Sequence, residues 1–395
     1  MRPSLRSLIF LYWIYAFAGG LIGVFTQIYL YQKFTSLSLN VIATMVFYTG
    51  IMVGFTVPGI LATYLRLNIK RGFLWSFIAM AAAILYLLRI DSVTSAYLAM
   101  FFWGFGNGIY WLTVNTFELT ETKDEERDFY SSILNAGNQI LSFVGPASAT
   151  ALIWLSQYVF HTGTFTLLFT VAPTVYLLGF FCFKSIRDYY PPRIEWADVK
   201  HFFVDRRNQA AQVYTLGNGI EQTLGVTIPP LATLFILGTV LKVGIYSTFA
   251  AIFSAVCILF VARYRKPSRR LLIYGLTMIG IVLATAWLGY AFTLTALIIY
   301  TAVLAFLSPL QNISTHVFDL KIMEVGRKET DFYATMILRD IALWFWRCVG
   351  GALLLVLFGF FAGERTLLSI GLYLLAGSFL LRYFGAFLLL RVKSF

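Results

Sequence analysis

The chain has 395 residues, of which 59% are hydrophobic and only 12% are charged. Soluble proteins carry about a quarter charged residues, so this composition excludes a water-soluble globule and indicates a protein that crosses a membrane many times. The net charge of +12 would also suit a nucleic-acid-binding protein, and the placement of the basic residues has to decide between the two classes.

Twelve apolar segments, each long enough to cross about 30 Å of hydrocarbon as a helix, follow one another along the chain. They span 7–31, 39–64, 72–90, 93–119, 131–159, 163–183, 209–237, 243–262, 271–290, 294–320, 332–361 and 366–390. We therefore predict an all-α membrane protein whose twelve transmembrane helices form two six-helix bundles. The bundles are expected at 1–183 and 209–395, joined by a cytoplasmic linker at 184–208.

The basic residues gather on one side of the predicted membrane. With the N-terminus in the cytoplasm, 23 of the 30 Lys and Arg residues fall on the cytoplasmic side and four on the opposite side. The other three, Arg339, Arg347 and Arg382, lie inside predicted helices, and Arg382 is near enough to an inner helix end to reach the membrane surface. This asymmetry predicts that both termini are cytoplasmic, and it accounts for the charge without nucleic acid.

A short motif occurs twice, half a chain length apart. Phe-Glu/Asp-Leu at 117–119 and 318–320 is followed by Asp-Phe-Tyr at 128–130 and 331–333. Each copy ends one apolar segment and begins the next, which predicts two related, pseudo-symmetric halves.

Polar residues are distributed unevenly among the predicted helices. Helices three, six, nine and twelve contain no Asn, Gln, Asp, Glu or His, whereas helices four, five, seven and ten carry several and helix eleven carries charges. Since polar groups in hydrocarbon are costly, we expect the first group to face lipid and the second to face a cavity.

Two sets of six helices, a basic central loop and this division of polar residues resemble the major facilitator superfamily. The loop at 59–66 is similar to that family's motif after the second helix, although Thr63 replaces the usual acid and so removes a cytoplasmic charge contact. The glycines at 104–108 with Tyr110-Trp111 resemble, more narrowly, a YqgE-type branch. The resemblance implies a substrate bound between two bundles and alternating access by rocking. We expect no cofactor, and the acids near mid-membrane make the proton the expected coupling ion.

Helix five carries Asn135, Asn138 and Gln139 on one face, together with Ser142 one turn later. An amide stripe of this kind either faces a cavity or bonds to a neighbouring helix. Asn115 in helix four, and Gln311 and Asn312 in helix ten, are further candidates for contacting a substrate.

Glu221 lies near the expected midplane in helix seven, with Asn218 on the same face and Pro229-Pro230 above, where they should break or bend the helix. A carboxyl group at this depth is a candidate proton carrier. The alternative is a static ion pair with an arginine.

Helix eleven places Asp340 and Arg347 on one face and Arg339 about 100° away. The two guanidinium groups are suited to a substrate carboxylate or phosphate. They could equally neutralise Asp340 and Glu221, and the sequence leaves both interpretations open.

Acidic residues and a histidine lie at the inner ends of helices four, five, ten and eleven. They are either solvated helix ends or parts of a cytoplasmic gate whose pairs form when the cavity opens outward. The residues are Glu118, Asp128, His316, Asp319 and Asp331.

These features predict a secondary active transporter for a small organic solute, coupled to protons. Gly145-Pro146 favours export slightly; the alternatives are import of a sugar or organic anion, and a lipid or amphiphile flippase. No catalytic residues and no metal site are expected, so an enzyme is disfavoured. We expect a monomer surrounded by lipids in a bacterial inner membrane, with no nucleic-acid partner.

Overall fold

The computed structural model describes residues 2–122, 124–194, 206–261, 270–325 and 332–391. These residues form twelve long helices with no β-strand among them. The helices are α1 (Pro3–Phe34), α2 (Leu37–Tyr64), α3 (Gly72–Leu87), α4 (Val93–Glu121), α5 (Asp124–Trp154), α6 (Thr166–Leu178), α7 (Arg206–Leu237), α8 (Val240–Val261), α9 (Arg270–Ala291), α10 (Leu294–Val325), α11 (Phe332–Phe358) and α12 (Glu364–Arg391).

The predicted all-α class is confirmed, since the described residues form helices and no strands. Helices suit a membrane because each helix satisfies its own backbone hydrogen bonds, for which hydrocarbon provides no partners. By length and composition, eight of the described helices could each cross a membrane: α1, α2, α3, α6, α7, α9, α11 and α12, with α3 and α6 counted together with adjoining short turns. In α8 and α10 the apolar part is shorter, at Val240–Ser254 and Leu294–Ser308. The count of twelve spans and the cytoplasmic termini stay predictions.

The chain divides into two compact units. Unit 1 contains Met1–Phe34 and Val46–Ile194, and unit 2 contains Thr35–Met45 and Glu195–Phe395. The first turns of α2 therefore group with unit 2, where the hydroxyls of Thr44 and Thr227 are 2.9 Å apart.

The helices of the two units pair in the same pattern. In unit 1, α1 packs on α4, α5 and α6, while α3 packs on α4 and α6. In unit 2, α7 packs on α10, α11 and α12, while α9 packs on α10 and α12. Each pairing of the first six helices thus recurs six helices later, as an internal repeat would produce.

Small residues set the closest helix contacts of unit 1. A Cβ atom at Gly104 or Gly108 would collide with the backbone of α2, and one at Gly106 would collide with Met80 in α3. The glycines at 104–108 therefore serve helix packing, as expected for small residues in membrane helices. They let α4 lie directly against both neighbours.

Candidate functional site

Two glycines on opposite sides of α7 bring its polar residues within reach of α11 and α12. A Cβ at Gly217 would overlap the backbone of Arg382 in α12, and one at Gly219 would lie 2.7 Å from Trp346 Cβ and 3.0 Å from the Arg347 backbone nitrogen in α11. Close approach through small residues shortens the distance that a polar side chain has to cover. The next turn of α7 carries Glu221.

Glu221 forms a buried ion pair with Arg382. Arg382 Nη1 donates to both carboxylate oxygens of Glu221, at 2.7 and 2.6 Å, and Nη2 donates to the Tyr214 hydroxyl at 3.3 Å. The guanidinium also lies 5.4 Å from the centre of the Tyr214 ring, a cation–π distance. The Arg382 side chain is 6% exposed and that of Glu221 is 17% exposed.

The prediction that Arg382 reaches the membrane surface is therefore wrong. Its helix, α12, packs along α7, so the side chain points into unit 2 and meets a carboxylate there. A buried charge is tolerated when it is paired and hydrogen-bonded, and this interaction supplies both conditions. The arginine that pairs with Glu221 therefore comes from α12, whereas the prediction considered those of α11.

A second network connects α7 to α11. Gln222 Nε2 donates to Asn218 Oδ1 at 3.2 Å, and Gln222 Oε1 accepts from Arg347 Nε at 2.9 Å and Nη2 at 2.6 Å. Arg347 Nη1 lies 3.8 Å from Asp340 Oδ1, within ion-pair range but beyond a hydrogen bond. Asn218, Gln222, Arg347 and Asp340 thus form a continuous polar chain.

Glu221 and Asp340, two acids inside helices of unit 2, are held differently. Glu221 accepts two short charge-assisted hydrogen bonds, whereas Asp340 Oδ2 is buried and has no hydrogen-bond partner among the described residues. The main hydrogen bonds of the Arg347 guanidinium go to the neutral Gln222 instead of Asp340. Asp340 is therefore the acid with unused bonding capacity.

The proline pair of α7 does not interrupt the helix. Pro229 and Pro230 lie inside α7, which runs continuously from Arg206 to Leu237. Thr233 Oγ1 donates to the Pro229 carbonyl at 2.8 Å, a side-chain bond within the helix one turn after the prolines. The predicted break above Glu221 is absent.

Unit 1 presents a half-buried face of aromatic, amide and acidic side chains. Trp111, Asn115 and Glu118 follow one another on one side of α4, and Tyr12 of α1 is hydrogen-bonded to Asn138 of α5. Glu118 is close enough to Tyr12 to interact electrostatically. We call these five half-buried residues the aromatic–amide face, in which Tyr12 lies close to both Asn138 and Glu118. It combines stacking surfaces with donors and acceptors.

Hydrogen-bonded and stacked side chains of α1 and α4 lie next to that face. Trp111 Nε1 donates to the Tyr15 hydroxyl at 3.1 Å, and the Tyr15 hydroxyl donates to Asn107 Oδ1 at 2.7 Å. The Tyr15 ring stacks on Tyr110 with centroids 3.9 Å apart. Sequence reasoning overlooked Tyr12 and Tyr15, although two hydroxyl-bearing rings at i and i+3 in an apolar helix were an available signal.

The remaining candidates are only partly described. Gln311 is buried in α10, and Arg339 is half-buried beside Asp340 in α11. Asp331 lies outside the described residues, and the structure describes only the backbone of six others: Asn135, Gln139, Asn312, His316, Asp319 and Asp128. No group of His, Cys, Asp and Glu suited to a metal ion occurs in the described part of the chain.

The repeated motif lies at equivalent junctions of the two units. Its first copy spans the end of α4 and the start of α5, and its second spans the end of α10 and the start of α11. Tyr130 and Tyr333, the last residues of the two copies, are both buried, with 2% and 0% exposure. The tyrosines are therefore buried in the N-terminal parts of corresponding helices.

The family model described as Major Facilitator Superfamily matches residues 8–320. The chain belongs to this superfamily. It is an integral, multi-pass membrane protein of a transporter family, as the resemblance implied. No curated relative matches the sequence.

Solved structures of other superfamily transporters share the fold at low identity. A mutant form of the nucleoside transporter NupG is 14% identical, with a TM-score of 0.66 over 99% of this chain and 100% of that chain. A bacterial homologue of the human lysosomal transporter Spinster is 13% identical, with a TM-score of 0.64 over 99% and 97%. The peptide transporter POT, solved with sulfate, is 15% identical, with a TM-score of 0.64 over 100% and 95%.

This superfamily member carries Thr63 where the family's motif has an acid; Thr63 lies in the last turn of α2, and its hydroxyl donates to the Ile60 carbonyl at 2.8 Å. An ion pair lies nearby, where Lys70 Nζ is 3.5 Å from Asp188 Oδ1. A hydrogen bond from Asn68, and next the charge of Lys70, lower the pKa of Asp188 below its ordinary value. The narrower likeness to a YqgE-type branch stays a prediction.

Proposed function

We propose that this protein is a secondary active transporter that moves a small polar organic solute by alternating access, with Asp340 as the proton-carrying residue. The observation behind the proposal is the contrast between Glu221 and Asp340 of unit 2. Glu221 accepts two short hydrogen bonds from Arg382, while Asp340, whose side chain is 12% exposed, lies beside Arg347 without a hydrogen bond to it.

A coupling acid has to gain and lose a proton during each cycle. Glu221 would first have to give up two charge-assisted hydrogen bonds and leave Arg382 buried without its partner, which is strongly unfavourable. Asp340 has to break no such bond, and its protonation would remove only the 3.8 Å ion pair with Arg347, whose short hydrogen bonds to Gln222 would stay in place. We therefore assign coupling to Asp340 and a structural role to Glu221.

The aromatic–amide face of unit 1 is proposed to bind the solute. Trp111 and Tyr12 offer flat surfaces for stacking, Asn115 and Asn138 offer donors and acceptors, and Glu118 offers a negative charge. These groups suit a planar or hydroxylated solute with hydrogen-bond donors. Nucleosides and peptides, which name the NupG and POT transporters, belong in the first set of compounds to test.

The direction of transport is open to the same measurements. Gly145-Pro146, the pair that favours export, packs against Gly20 of α1: a Cβ at Gly145 would lie 3.1 Å from Gly20 Cα. Helix packing explains this glycine without reference to direction. The direction of solute flux in proteoliposomes is the measurement that distinguishes export from import.

The test begins with a thermal-shift screen of nucleosides, dipeptides, sugars, amino acids and organic anions on the purified protein, because a bound ligand stabilises the fold. The compound that stabilises the protein is then followed in proteoliposomes with an imposed pH gradient. We expect accumulation that follows the gradient and disappears when an ionophore collapses it.

Two variants separate coupling from binding. In Asp340→Asn, accumulation driven by the gradient should be lost while exchange of labelled for unlabelled solute continues. In Asn115→Ala, exchange and accumulation should fall together, by about fivefold for one lost hydrogen bond. Gradient-driven accumulation in Asp340→Asn at the wild-type level would refute the assignment of coupling to this residue.

A further inference from the structure

A groove on unit 1 lies between α2, α3 and α4. Its volume is about 470 Å³, within the range of sites that bind small molecules. Pro58, Leu61, Trp75, Ala79 and Phe105 contribute to its mainly apolar wall. Leu61 is 44% exposed and Trp75 is 60% exposed, so the groove opens toward the hydrocarbon around this membrane protein.

A cation lies on the wall of this apolar groove. Arg71, which follows α2 and precedes α3, is both a lining residue and exposed. Its charge acts on Asp188, but its guanidinium makes no hydrogen bond or ion pair with any residue in the described ranges. The guanidinium is therefore available to an anion outside the protein.

The chain around Arg71 is rich in further cations. The Ile69 amide donates to the Tyr189 carbonyl at 3.0 Å, and Lys70 Nζ donates to the Lys184 carbonyl at 3.1 Å, so the segment after α6 lies beside the turn before α3. This corner holds five basic side chains and one acidic side chain. They are Arg66, Lys70, Arg71, Lys184, Arg187 and Asp188.

We propose that the groove binds an anionic phospholipid, with an acyl chain along its apolar wall and the phosphate held by Arg71. A guanidinium fork matches the oxygens of a phosphate, and a basic cluster attracts anionic headgroups at a membrane surface. Trp75, exposed on the groove wall, is a residue type that favours the headgroup boundary.

A second groove supplies a contrast. It lies on unit 2 between α8 and α10, with a volume of about 330 Å³. Tyr246, Phe249, Ala250 and Phe253 are among its lining residues, and none of the lining residues is charged. This groove offers apolar walls for an acyl chain but no lining cation for a headgroup. It therefore serves as an internal control for the role of the cation.

Native mass spectrometry of the purified protein with phosphatidylglycerol and with phosphatidylcholine of the same acyl chains tests the proposal. We expect phosphatidylglycerol to bind one site preferentially in the wild type. Arg71→Gln should weaken that binding about fivefold, the effect of one basic residue near a lipid surface. Ala79→Phe, which fills the groove, should remove the site for both lipids.

Matched variants serve as controls. Ala250→Phe fills the other groove, and Arg89→Gln removes an exposed arginine beyond the opposite end of α3, so both should keep the wild-type preference. Inorganic phosphate should not displace the lipid. Equal binding of the two lipids, an unchanged preference in Arg71→Gln, or displacement by phosphate alone would each overturn the proposal.

Discussion

Arg382 of α12 donates two hydrogen bonds to Glu221 of α7, a residue 161 positions earlier in the chain, at 2.7 and 2.6 Å. The pair joins the central helix of unit 2 to a helix whose composition alone suggested contact with lipid. It also explains how an acid and an arginine both persist in the apolar interior, since each compensates the desolvation of the other.

Removing one member of this pair should destabilise the protein. Glu221→Gln leaves the Arg382 guanidinium buried opposite a neutral amide, with an expected loss of about 3–5 kcal/mol in the free energy of unfolding. The melting temperature in detergent measures the effect. The double variant Glu221→Gln/Arg382→Gln should recover part of the loss, because neither remaining group is charged. A double variant less stable than Glu221→Gln would contradict this account.

Arg347 and Asp340 should be coupled more weakly than Glu221 and Arg382. Their charged atoms are 3.8 Å apart, and Arg347 donates its short hydrogen bonds to Gln222. A double-mutant cycle of Asp340→Asn and Arg347→Gln, measured by thermal or denaturant unfolding, isolates the pairwise energy. We expect a smaller coupling energy than in the equivalent cycle for Glu221 and Arg382. A larger coupling energy for Asp340 and Arg347 would show that Asp340 is bound as tightly as Glu221.

The close approach of α7 and α12 should depend on Gly217. A methyl group there would overlap the backbone of Arg382, so Gly217→Ala is expected to cost about 1–3 kcal/mol through overpacking. Gly377→Ala is the matched control, since nothing lies within 4 Å of a Cβ at that position of α12. The control should lose no stability, and its helix propensity should improve by up to about 1 kcal/mol. Equal melting temperatures for the two variants would argue against the close contact.

The contribution of Asp188 should depend on pH in the acid range. Its pKa is lowered in the folded protein, chiefly by the hydrogen bond from Asn68, so the folded state favours the carboxylate. The stabilisation is present above the unfolded pKa of about 3.9 and is lost as pH falls through the folded pKa. The melting temperature should be lower in Asp188→Asn than in wild type at neutral pH. The difference should shrink below about pH 4, and a difference that grows on acidification would reverse the assigned sign.

Much of the helical organisation was predictable from the sequence. Apolar length and the paucity of charge are properties of contiguous residues, and they led to the all-α class and to approximate helix positions. The repeated motif was interpreted correctly as marking corresponding helix junctions, because its copies lie at the α4–α5 and α10–α11 junctions, where Tyr130 and Tyr333 are both buried. The alignment of Asp340 with Arg347 also followed from helical spacing, and their ion pair bears it out.

The partners of the polar groups could not be predicted in the same way. Arg382 was predicted to reach the membrane surface because position within a helix indicates depth but not the direction in which a side chain points. The direction depends on which helix packs alongside, and here a glycine at 217 brings α12 against α7. Composition and periodicity determined that this protein is a helical membrane protein with polar residues in selected helices. Only the tertiary structure decided that Glu221 binds Arg382, because that contact depends on helices far apart in sequence and on an ångström-scale approach between their backbones.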